Sequence, residues 1–210
     1  MRTRLVAAAV ALAATAAPVG AIAAPVGAPA PAFKGTDTKG VTRSLSDFAG
    51  KWVVLEWHNS GCPYVRKHYG GHNMQALQRE WTSRGVVWLT VISSAAGQQG
   101  HMEPAQADAY FADQKASQTA VLLDPSGEIG RLYDAKTTPH MFVINPDGVL
   151  VYNGAIDDRP TTDSSAPSGS SLGAAGSLVL GRRNAPAVNA TMTIGMLTVK
   201  ISCQPKCSTR

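Results

Sequence analysis

Short apolar runs, each too brief for a free-standing helix, alternate along this chain with stretches whose apolar positions recur at helical spacing. Trp52-Val-Val-Leu-Glu-Trp57 is nearly continuous in apolar, β-branched and aromatic residues, which predicts a central strand covered on both faces. Asn59-Ser-Gly61 breaks that run and Cys62-Pro63 opens a helix, because proline at the first helical position gives up no hydrogen bond. Tyr64, Val65, His68 and Tyr69 carry it to Gly70-Gly71. Asn73 is then expected to cap a second stretch in which Met74, Leu77 and Trp81 share a face, so that the whole reads as one kinked helix. Gly85 ends it, and Val86–Ile92 supplies the next buried strand, giving a βαβ unit with a parallel pair.

The alternation continues. Glu103 to about Lys115 is Ala-rich with Tyr110 and Phe111 and predicts a helix, followed by a strand at Thr119–Leu123 and a turn at Asp124–Gly127. Ile129, Leu132 and Tyr133 suggest a short helix, and Met141–Ile144 with Val149–Tyr152 flank the turn Asn145-Pro-Asp-Gly148, as an antiparallel hairpin closing the sheet requires. Upstream, Ala32-Phe33 and Ser44–Lys51 read as an approach loop with a short turn. The pattern predicts an α/β domain with a central mixed sheet flanked by helices.

The two ends differ from this domain. Met1-Arg-Thr-Arg4, the apolar run from Leu5 to Ala17 and the small residues Ala21-Ile-Ala23 form the three parts of a secretory signal peptide. Residues 1–23 are therefore expected to leave by cleavage after Ala23, the alternative being an uncleaved anchor because Pro25 lies close to the cut. Past Asp158 the composition turns to Ser, Ala, Gly and Thr, with no aromatic after Tyr152. Residues 24–158 are thus read as the domain, and 159–210 as a loosely docked low-complexity tail without material for a second core. No internal repeat is visible.

Export implies a periplasmic or secreted protein with no stable membrane association once the leader is gone. The 19 Lys and Arg against 14 Asp and Glu give a net charge of +5, two of the positive charges being Arg2 and Arg4 of the leader. No basic run interleaved with aromatics accompanies that charge, so nucleic acid is not an expected partner. Three cysteines in an oxidising compartment leave one outside any single disulfide. The spacing of Cys203 and Cys207 makes those two the candidate pair, unless they lie on a frayed tail and pair with nothing.

Two segments carry a family resemblance: Glu56-Trp-His-Asn59 with Gly61-Cys-Pro-Tyr-Val-Arg-Lys-His-Tyr69, and Lys136-Thr-Thr-Pro-His-Met-Phe-Val143. From about Phe33 to Asp158 the chain resembles the thioredoxin-like redoxin proteins of the alkyl hydroperoxide reductase and thiol-specific antioxidant superfamily. The resemblance implies a thioredoxin-like fold and a reactive cysteine at Cys62. It also implies a cis peptide before Pro139 that presents the backbone of Thr138 beside the sulfur, and a buried acid at Glu56. Three departures limit what carries over. Val65 stands where a disulfide reductase has its second cysteine. Asn59 and Leu55 stand where typical peroxiredoxins have a hydroxyl residue and a proline. Gly195–Ile201 is similar to the family's closing segment without its cysteine, through divergence of the tail or a slip of reading frame near Asp163.

The chemistry follows from placement. Unpaired backbone N–H groups at a helix start favour an anionic sulfur, and Arg66, one turn on, either adds positive charge toward Cys62 or is a solvated surface arginine. Glu56, inside an apolar run, is a candidate for proton transfer or else an edge-facing acid paired with a base. His140 reads as a core histidine in preference to a general base. His58, Cys62, His68 and His72 fall close together, but Gly70-Gly71 interrupts the helix that would align them, and no metal or cofactor is called for.

The reading that follows is an exported thiol-dependent oxidoreductase or antioxidant protein in which Cys62 attacks a peroxide or a disulfide. Glu56, Arg66, Thr138 and Pro139 support it, and an external thiol reductant or a disulfide-bearing protein is its partner. Cys203 or Cys207 would resolve the product only if the tail folds back. The alternative is a redox-inactive binding module or a copper or zinc carrier on the same fold.

Overall fold

The computed structural model describes residues 25–157 and 161–162. The expected signal peptide and nearly all of the expected tail, Cys203 and Cys207 included, lie outside the described residues. The described chain builds a seven-stranded mixed sheet in the order β2-β1-β5-β4-β3-β6-β7. In chain order the strands are β1 (Lys34–Asp37), β2 (Thr42–Ser44), β3 (Val53–Trp57), β4 (Val87–Ile92), β5 (Ala120–Leu123), β6 (His140–Ile144) and β7 (Leu150–Gly154). The helices are α1 (Pro63–Gly70), α2 (Asn73–Ser83), α3 (Pro104–Asp113) and α4 (Glu128–Leu132).

β3 pairs in parallel with β4 and antiparallel with β6, and all five of its residues are buried. This is the central, doubly covered strand that its apolar run predicts. Because side chains alternate across a strand, Val53, Leu55 and Trp57 enter one core with Phe33, Phe48, Ile129 and Tyr133. Val54 faces the other core, built with Val65, Tyr69, Leu77, Trp81 and Phe111 from the first three helices. Helices on one face and the N-terminal segment with α4 on the other exclude water from both sides of the parallel strands.

The structure corrects two expectations. The approach loop contains the hairpin β1–β2, joined to the sheet by antiparallel pairing of β1 with β5. Its residues, Lys-Gly-Thr-Asp and Thr-Arg-Ser, are polar and lie at the sheet edge, so they carry no hydrophobic alternation to announce them. The predicted kinked helix is two helices. His72 takes a left-handed conformation at φ 57° and becomes the residue before α2, while Asn73 is its first residue and not its cap. The Asn73 amide instead donates to His68 Nδ1 at 2.8 Å, tying the start of α2 back to α1.

Behind α1 lies a buried ion pair. Lys67 Nζ sits 2.6 Å from Asp157 Oδ2, the two side chains 4% and 7% exposed, so the chain leaving β7 is fastened to the helix that Cys62 opens. His68 Nε2 lies 3.4 Å from the same oxygen. Burial pushes the His68 imidazole below its ordinary 6.5, outweighing the opposing pull of Asp157. Burial lowers His140 in the same way. The unfolded chain therefore binds these protons at a higher pH than the folded one, so their contribution to stability is complete above about pH 6.5 and is lost as pH falls below it. We expect the urea midpoint to drop between pH 7 and pH 5, and His68→Gln to lessen that drop; equal drops in both proteins would show that His68 does not contribute.

Candidate functional site

Register places the site. Trp57, the last residue of β3, pairs with His140, the first of β6. The turn leaving β3 toward Cys62 and the Thr138–Pro139 step entering β6 therefore meet at one end of the sheet. Cys62 is the residue before α1, with Pro63 at the first helical position, as its sequence context predicts. The Thr138–Pro139 bond is cis. The thiol Sγ donates to the carbonyl oxygen of Thr138 at 3.1 Å, which brings together three of the residues singled out from sequence: Cys62, Thr138 and Pro139.

The sulfur is covered. Cys62 is 0% exposed, and the turn before it is stitched by Asn59, whose carbonyl oxygen accepts from Cys62 N and whose Oδ1 accepts from Gly61 N, both at 2.9 Å. Asn59 Nδ2 in turn donates to Gln99 O at 3.0 Å. The loop between β4 and α3 thus leans on the cysteine turn from outside. Gly100, at φ +84°, sits where any Cβ would overlap the Asn59 carboxamide, and a Cβ on Gly61 would meet the Gln99 side chain. This closed loop was not legible from sequence; the glycines at 97 and 100 are its only local signal.

Glu56 lands on the helix-covered face and is 0% exposed. Its Oε1 accepts from Tyr69 Oη at 2.8 Å. Its Oε2 accepts from Trp88 Nε1 at 2.8 Å, Gln78 Nε2 at 3.0 Å and Thr90 Oγ1 at 3.3 Å. Four donors from α1, α2 and β4 therefore converge on one carboxylate, an arrangement that satisfies a buried anion and removes the edge-facing, base-paired alternative. Burial first, and then the charge of Glu56, hold the Tyr69 phenol well above its ordinary value and push Tyr110 up to about 12.

Arg66 is exposed, and its charge acts on Tyr110 in opposition to Glu56. His140 ties β6 to β7 through Nε2 and Asn153 Oδ1 at 2.8 Å, while its Nδ1 accepts from Lys136 N at 3.4 Å. It is half-buried at the β6–β7 pairing and not in the core that the sequence reading expects. Among the described residues no three His, Cys, Asp or Glu side chains gather as metal ligands, and His58, Cys62, His68 and His72 are not brought together as a set.

Two buried polar groups have a setting that the sequence reading did not foresee. His58 is 1% exposed, with both ring nitrogens lacking a hydrogen-bond partner. Its signal was its position two residues after Glu56, which puts both on the same side of the extended chain. The Thr138 hydroxyl is likewise buried without a partner.

Comparison with known proteins agrees with the fold. A model of the AhpC/TSA family matches residues 26–153. No curated protein sequence matches the chain. Among solved structures, the chain is similar to an uncharacterized conserved protein from Geobacillus kaustophilus, with 25% identity and a TM-score of 0.67 over 78% of this chain and 86% of that one. A hypothetical protein from Sinorhizobium meliloti 1021 shares the fold at 20% identity and a TM-score of 0.67, over 80% of this chain and 90% of that one. A candidate thiol:disulfide interchange protein, DsbE, from Chlorobium tepidum is 26% identical with a TM-score of 0.51, over 62% of this chain and 85% of that one.

Proposed function

Since the chain belongs to the AhpC/TSA family, we propose that it is an exported, periplasmic or secreted thiol-dependent oxidoreductase in which Cys62 is the attacking sulfur. The observation that carries this reading is the placement of Sγ at the start of α1 and 3.1 Å from the carbonyl of the residue before cis-Pro139. A helix start favours the thiolate once the proton leaves. The adjoining bend offers backbone to an extended substrate.

Disulfide exchange is the better supported chemistry. The thiolate forms a bond to one sulfur of the substrate disulfide, the S–S bond breaks, and the leaving thiolate takes up a proton. An external thiol then attacks the mixed disulfide and returns Cys62 to its reduced form. Val65 supplies no local second thiol, so that external reductant is part of the cycle. With peroxide, the S–O bond would form as O–O breaks and the alcohol or water leaves, giving a sulfenic acid for an external thiol to reduce. Peroxide is less favoured because Asn59 already engages the Gly61 and Cys62 N–H groups, the backbone donors nearest the sulfur.

A second reading, a redox-inactive binding module, is favoured by one observation: the sulfur is fully buried and donates its proton to a carbonyl. Reduction of a small aromatic disulfide by the full-length chain with an external thiol separates the two. The oxidoreductase reading expects turnover that falls to background in Cys62→Ser. Turnover absent from the wild type, or unchanged in the variant, favours the module.

A further inference from the structure

Glu56 and His58 leave β3 two residues apart and face the same helices, yet their surroundings differ. Glu56 accepts from four donors, whereas neither nitrogen of His58 has a hydrogen-bond partner. The His58 ring is enclosed by Tyr69 and Phe111, each with centroids at 4.9 Å, and by Tyr110 at 5.3 Å. A phenylalanine would make these edge contacts without burying two unsatisfied nitrogens, so packing does not account for an imidazole here. The nearest charge is that of Glu56. His58 Nδ1 lies 3.7 Å from Glu56 Oε1, a short movement away from a charge-assisted hydrogen bond.

We propose that His58, backed by Glu56, is the buried group that takes up the proton Cys62 gives up on reacting, so that thiol and imidazole titrate as a coupled pair. This rests on the oxidoreductase reading given above. In the step, the S–H bond of Cys62 breaks and an N–H bond forms on the imidazole. The resulting imidazolium faces the carboxylate, and the buried site gains no net charge. The imidazolium then gives this proton to the leaving thiolate, which departs as a thiol, and His58 is neutral again. Glu56 holds the imidazolium instead of accepting the proton itself, because its four donors favour the carboxylate form.

The two groups border the same helix-covered core. Cys62 shares a single buried cluster with Tyr69 and Phe111, the residues that enclose His58, and only the turn 59–61 separates them in the chain. The ionisable groups facing His58 are Glu56 from β3, Tyr69 from α1 and Tyr110 from α3. Burial and the charge of Glu56 hold both phenols protonated well past physiological pH. Arg66 acts at longer range through Tyr110, and His68 also feels Glu56.

The test follows the ring signal of His58 by NMR across pH in the full chain and in Cys62→Ser, and the rate of Cys62 alkylation across pH in the wild type, His58→Phe and His58→Gln. Coupling predicts that the His58 midpoint moves when the thiol is removed. It also predicts that loss of the imidazole shifts the alkylation profile upward by about half a pH unit or more, a slowing of roughly threefold or more on its low-pH limb. His58→Phe should be at least as resistant to urea as the wild type, which separates proton uptake from support of the fold; His58→Gln serves if the phenylalanine variant does not fold. A His58 signal that does not titrate, or that titrates identically with and without the thiol, overturns the proposal while Cys62 still reacts. A Cys62 that does not react in the native protein overturns the oxidoreductase reading itself.

Discussion

Glu56→Leu is expected to cost more than about 3 kcal/mol of folding stability, as read by urea unfolding of the full chain. The carboxylate is the common acceptor for Tyr69, Gln78, Trp88 and Thr90. Each donor left unsatisfied in the interior costs roughly 1–3 kcal/mol. The sum is not reached, because Gln78 also contacts the Tyr69 hydroxyl at 3.3 Å and the surroundings relax in part. Leucine supplies apolar contact but no acceptor, so hydrophobic gain offsets only part of the loss. Glu56→Gln should fall between wild type and Glu56→Leu, since its amide keeps one oxygen but turns an NH2 group toward donors. A loss below about 1 kcal/mol for Glu56→Leu would show that the carboxylate is not what holds α1, α2 and β4 together.

Gly100→Ala is expected to speed alkylation of Cys62 in the native protein by roughly 5- to 30-fold. The substitution puts a Cβ against the Asn59 carboxamide at a residue held at φ +84°, where an L side chain is strained by about 1–2 kcal/mol. That strain acts on the closed loop and is relieved when the loop lifts. It therefore biases opening by the factor that 1–2 kcal/mol gives in an equilibrium constant. Gln99 and Asn59 separate together in that movement, uncovering the cysteine turn. An unchanged rate would mean that another part of the chain covers the sulfur.

What the sequence made legible, and what it did not, divides along a physical line. The buried parallel strands were readable because Val53–Trp57 and Val87–Ile92 are covered on both faces and so are written in apolar residues. The start of α1 was readable because proline after Cys62 suits only the first turn. The cis bond before Pro139 came from family resemblance, not from spacing. The hairpin β1–β2 was missed because edge strands are defined by their partners, and its polar residues carry no period. The break between α1 and α2 depends on His72 reversing its backbone and on Asn73 reaching His68, a contact set by packing. The role of Glu56 depends on donors 13, 22, 32 and 34 residues away, which only the sheet register and the helix docking bring to one point. The loop that follows β4 and docks on the turn before Cys62 has no hydrophobic pattern to declare it.

Local opening is the link between this buried sulfur and chemistry, because loops of this kind open at a fraction of the global unfolding free energy. The most direct measurement is the rate at which a small disulfide modifies the native full chain carrying Cys203→Ser and Cys207→Ser, followed by mass spectrometry across urea concentrations below the unfolding transition. The account predicts one mixed disulfide per chain, located at Cys62, forming at a rate nearly independent of urea. A rate that rises in step with the unfolded fraction would contradict it, for then the thiol meets a reactant only after the whole domain has come apart.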